Sequence, residues 1–499
     1  MRAAKNADRS RLIAAAMQKI PCDLTIENVQ LVNVITGEIY PASVDVLDGM
    51  IVGVREQGEE TSRTSRYVYD GKGCYLIPGF IDTHMHVEST MMIPEQFGRA
   101  VLPWGTTTVM TDPHEIGNVM GIKGVEFMIE NSKHTPLRQY VLAPSCVPSV
   151  PSLEGAGASF GADEIAKLLD NPGEIGIAEV MDYINVINDE ERMHGILSEG
   201  WKRDVFIQGH GPGLNGKELQ AYAVAGPVSD RTAEECTKKL RAGMHLNLKS
   251  SSLSDNLVEC LNGIKGMKFT DFVSLCTDDV HAKDILETGH LNRVVRKAIK
   301  CGQNPVDVIR YATINAAREY GIKDLGAIAP GYVADMQLVS RLDGEKPVAV
   351  FCSGRLVAEN GIYIENEKEQ PKTVSFPNTM KMDQIKDAGD FVLKAPEGTG
   401  DTVKVNVIKS RYTGSFNKAF WEVLPVTDGK VELSGDPDLA FVAVCNRHGS
   451  GDKTIAVMRD FGLTRGAVAS TISHDSHNFC VVYKDPRDAF LAARELKRT

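Results

Sequence analysis

The chain has 499 residues, which at roughly 100–200 residues per domain allows about three structural units. With 42% hydrophobic and 24% charged residues, 45 Gly and 22 Pro, it is neither disordered, collagen-like nor a coiled coil. Its 55 Lys+Arg against 66 Asp+Glu give a net charge of -11 without long like-sign blocks, which excludes a general nucleic-acid or membrane-surface binder and favours solubility.

The N-terminal stretch from Met1 to Pro21 is rich in Arg and Ala, and its apolar part, Leu12 to Met17, is too short and too weakly apolar for a signal-peptide core. A cytoplasmic address is expected. From Cys22 to Tyr69 apolar and polar residues alternate, with turn signals at Thr36-Gly37 and Asp48-Gly49, which predicts short antiparallel strands. Pro330 to Ile364 has the same pattern. Neither segment can bury a sheet face alone, so residues 22–72 and 330–364 are expected to pair into a composite β-sandwich.

The intervening stretch, 73–329, alternates short apolar runs with longer helical patterns. Eight strands are predicted, ending near Ile81, Thr111, Pro144, Glu179, His210, Asp230, Lys249 and Asp278. Eight β-α units in about 250 residues predict a (β/α)8 barrel of the TIM type within an α/β fold. Beyond a polar linker, 374–499 is expected to form a third domain, with strands around Val403–Val407, Phe441–Cys445 and Phe479–Tyr483. The longest apolar run, Leu439 to Cys445, is far short of the roughly 18–20 residues that span a bilayer. Ten cysteines without a Cys-x-x-Cys pair suggest neither a disulfide framework nor a thiolate metal site.

His84-Met85-His86 follows the apolar run Tyr75 to Ile81. Residues i and i+2 of a strand point to one side, so both imidazoles face one point at the C-terminal mouth of barrel strand 1. Glu179, His210 and Asp278 end three other strands. Together these five describe an imidazole and carboxylate site for Zn, Mn or Fe. Such an ion brings bound water near a neutral pKa, and Asp278 can take its proton and pass it on. Metal-assisted hydrolysis is the reaction class. Asp112-Pro113-His114-Glu115 reads either as further polar groups at this mouth or as a helix N-terminus whose acids complement the dipole. Two superficial matches fail: Gly211 to Lys217 has phosphate-loop spacing, but Glu218 stands where Ser or Thr would hold Mg²⁺. His86-Val87-Glu88 lacks the Pro-Cys-x-x-Cys of the zinc nucleoside deaminases.

The strings from Pro78 to Thr90, Gly105 to Val119, Pro144 to Pro148, Glu179 to Met181, Gly209 to Leu214, Thr277 to Asp279 and Ser473 to Asn478 resemble, in order, the bacterial adenine deaminase family of the amidohydrolase superfamily. The resemblance covers the chain from about Cys22 onward. It implies conversion of adenine and water to hypoxanthine and ammonia, with hydroxide attacking C6, at a binuclear Mn or Fe centre, Zn being possible. It also implies a C-terminal adenine-deaminase-type domain in 374–499, and that relatives continue further past the last motif. Carried over by position, His84, His86, Glu179, His210 and Asp278 match metal ligands, with Asp278 and Glu179 catalytic; Glu88, His114 and Glu115 are candidates for holding the purine. The expected partners are that small substrate and further copies of the chain, with no nucleic acid and no membrane; the expected role is purine salvage.

Two positions depart from the family. A histidine followed by glutamate is expected at the end of strand 6, where Ser229-Asp230-Arg231-Thr232 stands. Arginine donates without accepting, so Arg231 cannot ligate a cation. After strand 7 an Arg-Glu-Gly-Ser pattern is replaced by Lys249-Ser250-Ser251-Ser252, which keeps the charge and loses the carboxylate. Either departure opens alternatives: one ion rather than two, another 6-substituted purine or cyclic amide as substrate, or a non-catalytic relative. His245 and His281 are the nearby candidates to replace a missing ligand. His474, Asp475 and His477 read as a second metal site, a cap over the barrel mouth, or a hydrogen-bonded turn.

Overall fold

The computed structural model describes the chain apart from residues 2, 5, 57, 60–63, 172–173, 231–235, 366–374, 411–416 and 499. Arg231 therefore lies outside the described residues. Contact clustering divides the chain into two units. The first holds Met1–Pro113, Glu126–Ser145 and Gly161–Thr373; the second holds His114–Val125, Cys146–Phe160 and Val374–Thr499.

In the first unit both strand-rich segments enter one nine-stranded sheet. Tyr75–Pro78 is its seam, parallel to Cys22–Val32 and antiparallel to Met336–Val339. Leu24, Ile26, Leu31, Val44, Leu76, Met336 and Phe351 form its apolar layer. The sheet thus reaches past residue 72, because Tyr75–Pro78 completes the pairing before the chain turns at Gly79 into the barrel.

Barrel strands 1 to 5 are Phe80–Met85, Thr106–Thr111, Arg138–Ala143, Glu174–Val180 and Phe206–Gly209, in one parallel sheet. Strands 6 to 8, Ser229–Asp230, His245–Lys249 and Val273–Cys276, form a second. The two sheets meet at both edges: Val228 N–H donates to the Ile207 carbonyl, and Met85 bridges Asp278 in parallel register. Strands 1 and 2 are buried along their whole length, as parallel strands covered on both faces must be. The helices outside pack Leu257, Leu261, Val294 and Ile309 onto Leu246, Leu248, Val273 and Leu275.

The second unit contains a seven-stranded sheet that is antiparallel but for one parallel pair, Thr402–Lys409 with Lys453–Arg459. Its interior strand Leu439–Cys445 is almost wholly buried, and the helix Pro486–Arg498 covers one face through Ala489 and Ala493. No helix among the described residues is long and apolar enough to cross a membrane. All ten cysteines are free thiols.

Candidate active site

Strand parity sets the first elements of the site. Asp82, His84 and His86 alternate along strand 1 and its extension, and all three are buried. The His84 and His86 rings meet edge to face, with their Nε2 atoms 3.0 Å apart. What lies behind each ring fixes its tautomer. His84 Nδ1 donates to Gln208 Oε1 at 2.7 Å, and the Gln208 amide is oriented because its Nε2 donates to the Thr83 carbonyl and to the Tyr320 hydroxyl. His86 Nδ1 donates to the Asp112 carbonyl at 3.0 Å. Both Nε2 lone pairs consequently face the same gap.

Two carboxylates face it too. Glu179 Oε1 lies 3.5 Å from His86 Nε2 and 3.9 Å from His84 Nε2, and Asp278 Oδ1 lies 3.4 and 3.7 Å from the same atoms. Glu179 reaches a second imidazole position with its other oxygen, since His210 Nδ1 is 2.8 Å from Oε2. His210 is held by its backbone N–H on the Tyr222 hydroxyl, which donates in turn to the Val180 carbonyl. Asp278 leaves its strand in the left-handed region at φ +58°, a conformation Asp tolerates better than most residues. This turn is pinned by its N–H on the His84 carbonyl.

A set of acceptor atoms 3.0 to 3.9 Å from one another is repulsive unless a cation or proton sits among them. The donors are imidazole nitrogens and carboxylate oxygens, each imidazole backed by a fixed acceptor, as is usual for metal-bound histidines. The residues therefore fit a divalent ion. His84, His86 and Asp278 converge within 4.8 Å, and Asp112 and Glu179 come within the same distance of His86. Asp112, which the sequence offered only as a polar mouth group, thus joins the cluster; its position at the end of strand 2 was the available signal.

Lys249 changes the electrostatics. Its Nζ is 2.7 Å from Asp278 Oδ2. Burial alone would push the Asp278 carboxyl up, but Lys249 and the two imidazoles hold it well below the usual carboxylate range. Behind it, burial pushes Asp82 up to about 7, although the Thr277 hydroxyl and the His84 and Thr277 amides donate to it.

Glu88 stands half-buried on a 3-10 turn directly after strand 1. His281 is an exposed helix N-cap. His245 is buried inside strand 7 against Phe272, with Glu319 rather than a ligand cluster 3.5 Å from its Nε2. His114 and Glu115 belong to the second unit, where they lie beside His474, Asp475 and His477.

Residues 75–357 match the model of the amidohydrolase family, and 415–499 that of the adenine deaminase C-terminal domain. Adenine deaminase 2 of Carboxydothermus hydrogenoformans is 38% identical across 98% of this chain and 83% of its own length. The adenine deaminase of Desulfatibacillum aliphaticivorans is 36% identical across 97% and 83%. The chain belongs to the adenine deaminase family of amidohydrolases. It is a hydrolase of C–N bonds in cyclic amidines, and its family uses a divalent metal. Among solved structures, the zinc complex of atrazine chlorohydrolase from Arthrobacter aurescens TC1 matches 69% of this amidohydrolase and 97% of that chain with TM-score 0.54 at 16% identity. An adenosine deaminase from Xanthomonas campestris with bound zinc matches 70% and 95% with TM-score 0.51 at 16% identity. These two likenesses concern the fold.

Proposed function

We propose that this amidohydrolase deaminates adenine to hypoxanthine and ammonia, at a divalent ion held by His84, His86, Glu179, His210 and Asp278. The carrying observation is the convergence of these five side chains in a chain 38% identical, over 98% of its length, to an adenine deaminase. Mn or Fe is the favoured ion, with Zn the alternative. When bound, the ion supplies Lewis acidity toward water and toward the developing negative charge of the amidine.

The protein's own groups do the rest. Asp278 Oδ1 faces the gap between the imidazoles and takes the proton of the attacking water, while Lys249 on Oδ2 keeps the carboxyl ionised before attack. Asp278 Oδ1 then hands the proton to the departing 6-amino group, so that ammonia leaves with C6 bearing the hydroxyl, and transfer of that hydroxyl proton to N1 gives the lactam. Glu179 links the His84–His86 pair to His210 and neutralises part of the ion's charge. Glu88 remains the candidate of this unit for contacts to the purine. A cytoplasmic place in purine salvage and a homo-oligomeric state complete the proposal.

Release of ammonia from adenine by Mn-loaded protein tests the reading. Turnover that disappears in Asp278→Asn is expected; no release from metal-loaded protein overturns it. The Lys249–Asp278 pair favours one variation, a single ion rather than two, because an ammonium 2.7 Å from a ligand carboxylate competes with a second cation. Elemental analysis should then find one barrel ion per chain and a rise in Lys249→Ala; two ions held at the barrel of the unaltered chain exclude this variation.

A further inference from the structure

The second unit holds another convergence of ligand atoms, all of them from its own residues. Glu115 is fully buried, and its two oxygens lie 2.8 Å from His474 Nδ1 and 2.6 Å from His477 Nε2. Ligand atoms of all three residues lie within 4.8 Å of one another. We propose that Glu115, His474 and His477 form a zinc site of the second unit, in addition to the ion proposed for the barrel.

The surrounding loop is built to hold the two rings. His477 adopts a left-handed φ of +52°, and its N–H donates to the Ser473 carbonyl at 2.8 Å, which folds residues 473–477 into a tight turn with both imidazoles on Glu115. The other side chains of the turn are anchored elsewhere. Asp475 accepts from the Ser149 hydroxyl at 3.1 Å and lies 3.4 Å from His114 Nε2. Ser476 donates to Glu154, and Asn478 donates to the Gly155 carbonyl. Each polar member of Ser473-His-Asp-Ser-His-Asn after the first is thus either a proposed ligand or a brace, and bracing from outside is what keeps a metal site in ligating geometry.

Two imidazoles and one carboxylate suit Zn²⁺, with bonds of about 2.0–2.1 Å and three protein ligands leaving a fourth position. That position has access to solvent: His474 is 30% exposed, and with Asp475 it lines a cleft of about 520 Å³. Tetrahedral bonds of that length put neighbouring ligand atoms about 3.3 Å apart, so entry of the ion opens the pairs at 2.6 and 2.8 Å by roughly 0.7 and 0.5 Å.

The test uses the full chain, stripped with chelator, reloaded with Zn²⁺ and freed of excess ion by gel filtration. His477→Gln keeps an N–H donor toward Glu115 and removes the ligating ring nitrogen. Zinc content is expected to fall by one equivalent per chain in H477Q, and one equivalent is expected to persist in a chain carrying H84A and H86A, where two barrel positions are gone. Circular dichroism verifies that both variants keep the parent's fold. Equal zinc in H477Q and the parent overturns the proposal, as does a folded H84A/H86A chain that holds none. A parent chain whose only zinc is the equivalent lost in H477Q would count against the barrel ion and leave this site in place.

Discussion

At the scale of single residues, the barrel site depends on groups that lie behind the imidazoles, away from the proposed ion. Gln208 gives His84 its tautomer by accepting from Nδ1, so that Nε2 keeps a lone pair for the metal. Gln208→Leu removes that acceptor, and metal affinity is expected to fall roughly 10–100-fold, measurable by competition with a chelator of known affinity. His245 serves a different end. Burial lowers its pKa to about 3 from an ordinary value near 6.5, and its Nε2 has no hydrogen-bond partner among the described residues. Between those two values the unfolded chain binds a proton that the folded chain refuses, so stability falls as pH drops through this window. His245→Phe should flatten the dependence by up to about 1.4 kcal/mol per pH unit, read from urea unfolding at pH 7, 5.5 and 4.

At the scale of elements, ligand positions follow from strand ends, and strand ends follow from close backbone approach. Gly209 closes strand 5 immediately before His210, and a Cβ there would run into the Ser229 carbonyl of strand 6. Gly209→Ala is expected to cost about 1–3 kcal/mol through overpacking, with His210 displaced, so thermal unfolding and metal content should drop together. Seven strand ends lie within two residues of where the sequence put them, whereas strand 1 runs on to Met85 instead of ending near Ile81, because Tyr75–Pro78 of the same apolar run pairs in the companion sheet; the parity of His84 and His86 followed from the two-residue period of a strand. Lys249 illustrates the opposite case. Its charge was evident as a departure after strand 7, whereas its partner Asp278 became visible only once strands 7 and 8 lay side by side.

For the whole molecule, the consequence is that the first unit is sewn together by its two ends. Tyr75–Pro78 pairs with Met336–Val339, a contact across most of the first unit's length, so the barrel is enclosed in sequence before its companion sheet can close. Such long-range pairing is slow to form and exposes strand edges meanwhile. A chain ending before Pro330 would leave the Tyr75–Pro78 edge open, and is expected to aggregate, which light scattering during refolding would detect.

The amino-acid order by itself determined the barrel, the family, and which strand ends carry imidazoles and carboxylates, because periodicity, turn chemistry and motif are local signals. Tertiary structure alone decided how those groups pair. Gln208 meets His84 across 124 positions, and His477 meets Glu115 across 362. It also drew Glu115 out of the list of simple mouth groups and set it between two imidazoles. Hydrogen bonds of this kind depend on which strands and loops become neighbours, and no spacing along the chain encodes that.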